Sequence, residues 1–187
     1  MHGKSNKELR LEIKGLDEIK FGISESITHV VSLVDPGTTL PKTVMRFDSK
    51  NRLRLYTHDT LDSQNGLQAP SIENVKELCL FADQIDFSSS VNVLVHCHMG
   101  RSRSAAAAAI LLLRLGVESP TTVFQRLQRI RSPIWPNWTF IENSDAFFGY
   151  NGELLKACQN LYDEISKLFP KWVEDPCPKN ASIKAIE

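Results

Sequence analysis

The segment from Val91 to Ser104 constrains the fold of this 187-residue chain more than any other part of the sequence. A mostly apolar run over residues 91–95 predicts a buried β-strand, and this run leads into Cys97. Five residues then separate Cys97 from Arg103, and the alanine-rich stretch that follows predicts an α-helix. The segment therefore predicts a strand, a tight loop and a helix, with a thiol at the start of the loop and a fixed cation at its end.

The predicted loop carries groups that suit a tetrahedral oxyanion. The loop ends where a helix begins, so the free backbone N–H groups of the first helical turn point into the loop. There they favour the binding of phosphate and stabilise the nucleophilic thiolate form of Cys97. Arg103 can bind two phosphate oxygens through its planar guanidinium, and Ser104 can donate a hydrogen bond to the sulfur. A buried structural cysteine is the alternative interpretation, but the full pattern is more specific than a lone cysteine would be. We therefore expect catalytic roles for Cys97, Arg103 and Ser104. The remaining loop positions, which we expect to bind phosphate together with Arg103, are His98, Met99, Gly100, Arg101 and Ser102.

The composition gives no global charge that would attract nucleic acid or a membrane surface. Lysine plus arginine and aspartate plus glutamate number 22 each, so phosphate affinity must come from a local site and no nucleic-acid partner is expected. No apolar run approaches the roughly 18 residues of a membrane-spanning helix, and residues 1–10 lack the apolar core of a secretory signal. We therefore expect no membrane segment.

The cysteines show neither the spacing of metal ligands nor a dense disulfide pattern. They are Cys79, Cys97, Cys158 and Cys177. We expect no metal and no cofactor, and a reducing, cytoplasmic compartment is the simplest setting for a reactive thiolate. The sequence leaves the oligomeric state open.

The rest of the chain alternates between predicted strands and predicted helices. Strands are predicted near residues 9–13, where the pattern is that of an edge strand, and over 28–34, 44–47 and 52–56. Helices are predicted after Ser71 as N-cap, over 104–115, from Pro120 to about residue 130, over 139–148 and over 153–169. This alternation predicts an α/β fold with a central, mostly parallel sheet of about four to five strands flanked by helices. We expect one domain over residues 1–170 and a polar, proline-containing C-terminal tail over 171–187.

Two motifs resemble those of a known family. The pattern His-Cys-x5-Arg-Ser at residues 96–104 resembles the signature loop of the cysteine-dependent protein tyrosine phosphatase superfamily, and the short chain resembles its compact dual-specificity branch. The pattern Arg-x4-Pro-Asn-x-x-Phe at 131–140 resembles the segment that follows the signature helices in that branch. Residues 144–149 and the His58-Asp59 pair resemble small bacterial members. The resemblance implies a metal-independent phosphomonoester hydrolase that forms a phosphocysteine intermediate.

The resemblance also implies a general acid on the loop after the strand that precedes the long helix. In this chain that loop contains Asp59 and Asp62, and Asp59 is favoured because it follows the strand directly. In the implied reaction Asp59 protonates the leaving oxygen while Cys97 takes the phosphoryl group. The ionised carboxylate then activates the water that hydrolyses the thiophosphate. Asp62 stays open as the other candidate.

The substrate is less constrained than the chemistry. The resemblance implies a phosphorylated protein, with phosphotyrosine first and phosphoserine or phosphothreonine as further candidates. Arg101 adds a second cation, so a phosphoinositide or RNA 5′-phosphate phosphatase is the alternative, although an arginine paired outside the pocket is the simpler interpretation. Trp135 and Trp138 could stack on a phosphotyrosine ring or pack in the core. A catalytically silent phosphate-binding module is disfavoured, because the chain keeps candidates for the nucleophile, the cation and the acid.

Overall fold

The computed structural model describes residues 9–170, which form four β-strands, seven α-helices and a short 3₁₀ helix at Ser49–Asn51. The strands are β1 (Leu9–Gly15), β2 (His29–Val34), β3 (Arg52–Tyr56) and β4 (Val91–Cys97). The α-helices are α1 (Leu16–Ile19), α2 (Lys42–Met45), α3 (Ile72–Asp83), α4 (Arg103–Arg114), α5 (Val123–Ile130), α6 (Trp138–Phe148) and α7 (Glu153–Leu168). The tail predicted at 171–187 lies outside the described residues. Within the described range no helix is both long and apolar enough to span a membrane.

The four strands form one parallel sheet in the order β1-β4-β2-β3, which confirms the predicted α/β architecture and places β1 at an edge. Gly15 at the end of β1 lies opposite Cys97 at the end of β4. Val34 at the end of β2 lies opposite Tyr56 at the end of β3. Parallel strands bring their carboxyl ends to one edge of the sheet, which is where ligand sites of open α/β sheets form. The loops that follow all four strands therefore meet at this edge.

Helices cover both faces of the sheet, and β2 and β4 are therefore buried over their whole length. One face packs Val31, Leu33, Val93 and Val95 against helices that include α4, whose five alanines, 105–109, are fully buried. These small side chains let α4 approach its neighbours closely, with α3, α5 and α6 around it. The other face carries a smaller apolar cluster that includes residues of α1 and α2.

The structure corrects two local predictions. The strand predicted at residues 44–47 is wrong, since α2 covers its first two residues; Val44 is buried in the second apolar cluster, and Phe47 packs partly buried against it. The N–H groups of Val44 and Met45 both donate to the carbonyl of Pro41. These hydrogen bonds form a helical turn and not the pairing of a strand with a neighbour. The helix predicted to open at Pro120 begins three residues later, at Val123. A segment of four residues, three of them apolar, is too short to distinguish a strand from one turn of helix.

Candidate active site

The loop between β4 and α4 wraps around the sulfur of Cys97. Cys97 is the last residue of β4 and is fully buried. Its Sγ accepts a hydrogen bond from the backbone N–H of Gly100 at 3.2 Å and lies 3.2 Å from Oγ of Ser104. The N-terminal turn of α4 follows directly, so its dipole also points at this loop. Such surroundings suit an anionic sulfur nucleophile.

Gly100 presses this loop against the end of β1. Its φ is +68°, and a Cβ at this position would lie 2.5 Å from the backbone nitrogen of Gly15 and 2.6 Å from the carbonyl oxygen of Lys14. A backbone hydrogen bond from Leu16 to the carbonyl of His98, at 2.9 Å, holds the same contact. The loop conformation therefore requires glycine both for its dihedral angle and for its close approach.

Substituting Gly100→Ala is expected to lower the free energy of unfolding by about 2–4 kcal/mol, because the left-handed conformation and the clash with β1 both add cost. Equilibrium denaturant unfolding measures this loss. Gly116→Ala is the matched control, since Gly116 has φ +65° but no atom lies within 4 Å of the place that its Cβ would take. The control should lose only the free energy that the left-handed backbone conformation costs an alanine, about 1–2 kcal/mol. Equal losses in the two variants would contradict the close approach.

Arg103 is the cation of the site, and its side chain is only 3% exposed. Its Nη1 donates to Oδ1 of Asp35 at 2.6 Å and to the carbonyl of Thr57. Its Nε is buried and has no hydrogen-bond partner within residues 9–170, although Oδ2 of Asp59 lies 4.0 Å away. A buried guanidinium nitrogen without an acceptor is suited to receive an oxyanion.

Asp35 is a residue of the candidate site that the sequence analysis does not single out. The sequence places it only in the turn that ends the second strand, yet its carboxylate contacts Arg103. The signal that could have found it is its position directly after β2, the strand beside β4. Charged residues that follow neighbouring parallel strands meet at the same edge of the sheet.

The structure brings Asp59 to the signature loop, whereas Asp62 is exposed. Oδ1 of Asp59 accepts hydrogen bonds from Oγ of Ser102 at 2.6 Å and from Nδ2 of Asn137 at 3.0 Å. Its other oxygen, Oδ2, is the one near Arg103. Because Oδ1 already has two donors, Oδ2 is the oxygen available to carry a proton toward a leaving group.

The loop that carries Asp59 is fastened to the start of α6. Asn137 is the N-cap of that helix, and its Nδ2 also donates to the carbonyl of Thr60 at 3.1 Å. Thr139 in the first turn donates its hydroxyl to the carbonyl of Leu61 at 2.7 Å. Asn137 therefore holds the aspartate loop as well as the start of its own helix.

Arg101 and Trp135 join the signature loop to the segment before α6. The Nη1 of Arg101 donates to the carbonyl of Pro133, and the backbone N–H of Trp135 donates to the carbonyl of Arg101 at 2.9 Å. Burial lowers the pKa of Arg101. Trp135 is buried and stacks on Tyr162 at 4.0 Å, so it packs in the core. Trp138 is half-buried and lies at an angle to the same tyrosine, 5.9 Å away.

The outer side of the loop is held by Arg131. Its guanidinium donates to the carbonyl of Met99 at 3.2 Å and pairs with Glu18 at 2.9 Å. The side chain of Met99 itself is exposed, and Nε2 of His98 lies 3.7 Å from the carboxylate of Asp35. Several side chains among the predicted phosphate-binding residues thus serve other contacts, which leaves the loop backbone and the Nε of Arg103 as the groups that can face an anion.

His96 lies below the site rather than in it. Burial lowers its pKa to about 4, so the ring is neutral near neutral pH. Its Nε2 is 2.7 Å from Oγ of Ser32 on the neighbouring strand β2. In the part of the chain that the structure covers, no three side chains of His, Cys, Asp or Glu are grouped so that they could hold a metal ion.

No protein-family model matches the sequence, and no curated protein matches it. Solved structures do match. Human DUSP28 is 17% identical with a TM-score of 0.53, over 82% of this chain and 94% of that chain. The PTP-2 phosphatase of Cydia pomonella is 22% identical with a TM-score of 0.56, over 73% of this chain and 84% of that chain. PTPMT1, in a complex with PI(5)P, is 22% identical with a TM-score of 0.54, over 78% of this chain and 92% of that chain. At these identities the likeness concerns the fold.

Proposed function

We propose that this chain, which has the fold of the compact dual-specificity phosphatases, hydrolyses phosphomonoesters through a phosphocysteine intermediate. One observation carries the proposal, namely that three complementary groups meet at the carboxyl edge of the sheet. They are the buried sulfur of Cys97, the Nε of Arg103 and Oδ2 of Asp59. The Nε has no hydrogen-bond acceptor among residues 9–170, and Oδ2 lies 4.0 Å from it. They would supply the nucleophile, the anion-binding cation and the proton donor that the reaction needs.

In the proposed first step, the sulfur of Cys97 attacks phosphorus, and a P–S bond forms as the P–O bond to the leaving group breaks. Arg103 and the backbone N–H groups of the loop bind the equatorial oxygens as their charge develops. Asp59 transfers its proton from Oδ2 to the departing oxygen. The products of this step are an alcohol or phenol and a phosphocysteine.

In the proposed second step, ionised Asp59 removes a proton from a water molecule that attacks the phosphocysteine. The P–S bond breaks, inorganic phosphate leaves, and the thiolate returns. The hydroxyl of Ser104, 3.2 Å from the sulfur, donates a hydrogen bond to the departing thiolate. Side chains and backbone supply every group that the two steps use, so we propose a metal-independent reaction.

For the substrate we propose a phosphorylated protein, with phosphotyrosine as the first choice. Arg103 lies between the carboxylates of Asp35 and Asp59, which offset its positive charge. Two other arginines of the region have partners already, Arg101 at the carbonyl of Pro133 and Arg131 at Glu18. A single phosphate suits this charge distribution better than a headgroup with several phosphates.

The phosphoinositide alternative stays as the second candidate because PTPMT1, seen with PI(5)P, shares the fold. A phosphate-release screen separates the two. It compares a phosphotyrosine peptide, a phosphothreonine peptide, a phosphoinositide and a 5′-phosphorylated RNA at equal concentration. We also propose a reducing, cytoplasmic setting, which the free thiols of Cys79, Cys97 and Cys158 support.

Substituting Asp59→Ala is expected to lower kcat by about 10²–10⁴-fold for alkyl phosphates and much less for aryl phosphates with acidic phenols. An acidic phenol leaves as an anion and needs no proton, whereas an alkoxide does. Steady-state kinetics on a series of leaving groups measures the difference as a steeper dependence on leaving-group basicity.

Asp62→Ala is the matched control, since this second aspartate of the same loop is exposed. It should leave both kcat and the leaving-group dependence close to those of the unsubstituted protein. If Asp62→Ala rather than Asp59→Ala produces the steep dependence, Asp59 is not the general acid.

A further inference from the structure

We propose that Asp35 is a positioning residue that fixes the orientation of the Arg103 guanidinium for the transition state of the proposed phosphatase reaction. The inference rests on that proposed function and adds a residue from outside both the signature loop and the aspartate loop. It starts from the ion pair between Oδ1 of Asp35 and Nη1 of Arg103, whose atoms are 2.6 Å apart.

The first step concerns how Nη1 of Arg103 is held. This nitrogen has two hydrogens, and two acceptors take them, the carboxylate of Asp35 and the carbonyl of Thr57. The guanidinium is planar and rigid, so two fixed contacts at one nitrogen fix the direction of the whole plane. The side chain of Arg103 is only 3% exposed, whereas that of Asp35 is 41% exposed, so the pair links a buried guanidinium to a carboxylate near the surface.

The second step concerns the opposite edge of the guanidinium. Nε of Arg103 is buried and has no hydrogen-bond acceptor in the described part of the chain. The Nε–H bond and one Nη2–H bond run parallel and form the fork that binds two oxygens of a phosphate. Holding Nη1 at Asp35 thus aims this fork before any phosphate arrives.

The third step concerns how the fold supplies the anchor. Asp35 is the first residue after β2 and Thr57 is the first after β3, and these strands are paired in parallel. β2 is also paired with β4, which ends at the nucleophile. Both acceptors therefore have positions that the sheet sets relative to Cys97, which a flexible surface partner would not provide.

The role has a distinctive energetic signature. The carboxylate of Asp35 does not add positive charge, so it does not strengthen the binding of a ground-state phosphate through charge. A correctly aimed fork matters most when the equatorial oxygens spread and gain charge in the five-coordinate transition state. Removing Asp35 should therefore weaken transition-state binding and leave ground-state binding nearly unchanged.

The test compares orthovanadate, which mimics the five-coordinate state, with inorganic phosphate. For Asp35→Ala we expect vanadate affinity and kcat on an aryl phosphate to fall together by about 10–100-fold, while phosphate affinity changes less than about threefold. Titration calorimetry gives both affinities and steady-state assays give kcat and KM. Asp35→Asn should recover most of the loss, because its amide oxygen can accept the same Nη1 hydrogen.

Asp83→Ala is the matched control, because Asp83 forms an exposed pair with Arg114 at 2.6 Å, away from the site. It should leave the ratio of vanadate to phosphate affinity unchanged. If Asp35→Ala does not fold, Asp35→Ser, whose hydroxyl is too short to reach Nη1, carries the same expectation.

Two results would overturn the inference. One is an equal loss of vanadate and phosphate affinity in the Asp35 variants, and the other is an Asp35→Asn protein as impaired as Asp35→Ala. If the unsubstituted protein binds vanadate but hydrolyses no phosphomonoester, the proposed function fails. The ratio of the two affinities still decides the role of Asp35 in that case.

Discussion

Substituting Cys97→Ser is expected to abolish turnover, lowering kcat by at least about 10⁴-fold. The serine hydroxyl fits the same buried position and can accept the hydrogen bond from Gly100, but it stays protonated and is a poor nucleophile near neutral pH. The fold and the phosphate cradle should therefore survive. Phosphate release measures turnover, titration calorimetry measures the binding of inorganic phosphate, and thermal unfolding checks the fold.

Cys79→Ser is the control for this prediction, because Cys79 is also a buried thiol but lies on α3. Burial raises the pKa of the Cys79 thiol and raises that of Cys158 to about 12, so these cysteines remain protonated and unreactive near neutral pH. The control should lose some stability and keep its kcat. Hydrolysis by Cys97→Ser near the level of the unsubstituted protein would end the phosphocysteine proposal.

Substituting Arg103→Lys is expected to lower kcat by about 10³-fold or more, although the positive charge is kept. A lysine ammonium is a point donor on a flexible chain. It cannot hold Asp35 and Thr57 with one nitrogen while it presents a planar fork to phosphate. Because the charge remains, KM should change far less than kcat, and steady-state kinetics on an aryl phosphate separates the two constants.

Arg114→Lys tests whether any arginine of α4 would show this loss. Arg114 ends the same helix and pairs with Asp83 through two hydrogen bonds, at 2.8 and 2.6 Å, on the surface. Its replacement should leave kcat unchanged. A kcat of Arg103→Lys within about tenfold of the unsubstituted value would show that charge alone, without the fork, satisfies the reaction.

Local sequence patterns are enough to predict the main strands and helices. β2 and β4 are mostly apolar because both faces of each strand are covered, and α3 begins after Ser71, whose hydroxyl accepts from the backbone N–H of Asn74. The turn at α2 escapes prediction because only two side chains of this segment, Val44 and Phe47, pack against the far side of the sheet. Two contacts are too few to leave a periodic pattern.

Some residues of the candidate site can likewise be predicted from the sequence, and others cannot. Cys97, Arg103 and Ser104 lie within one short segment, so their spacing alone indicates a common site. Asp35 is 68 residues away from Arg103 in sequence, and only the strand order brings the two together. The sequence favours Asp59 over Asp62 by position alone, while burial and the contact with Asn137 distinguish them in the structure.

The buried alanines of α4 limit how this chain can diverge in sequence. Arg103 is the first residue of the helix that residues 105–109 pack into the centre of the fold. A larger side chain there would push the helix off the sheet and carry the arginine away from the sulfur. The placement of Arg103 relative to Cys97 thus depends on side chains that lie outside the candidate site. Met99, whose side chain is exposed on the loop that follows Cys97, is free of that constraint, so this position can change without disturbing the packing of α4.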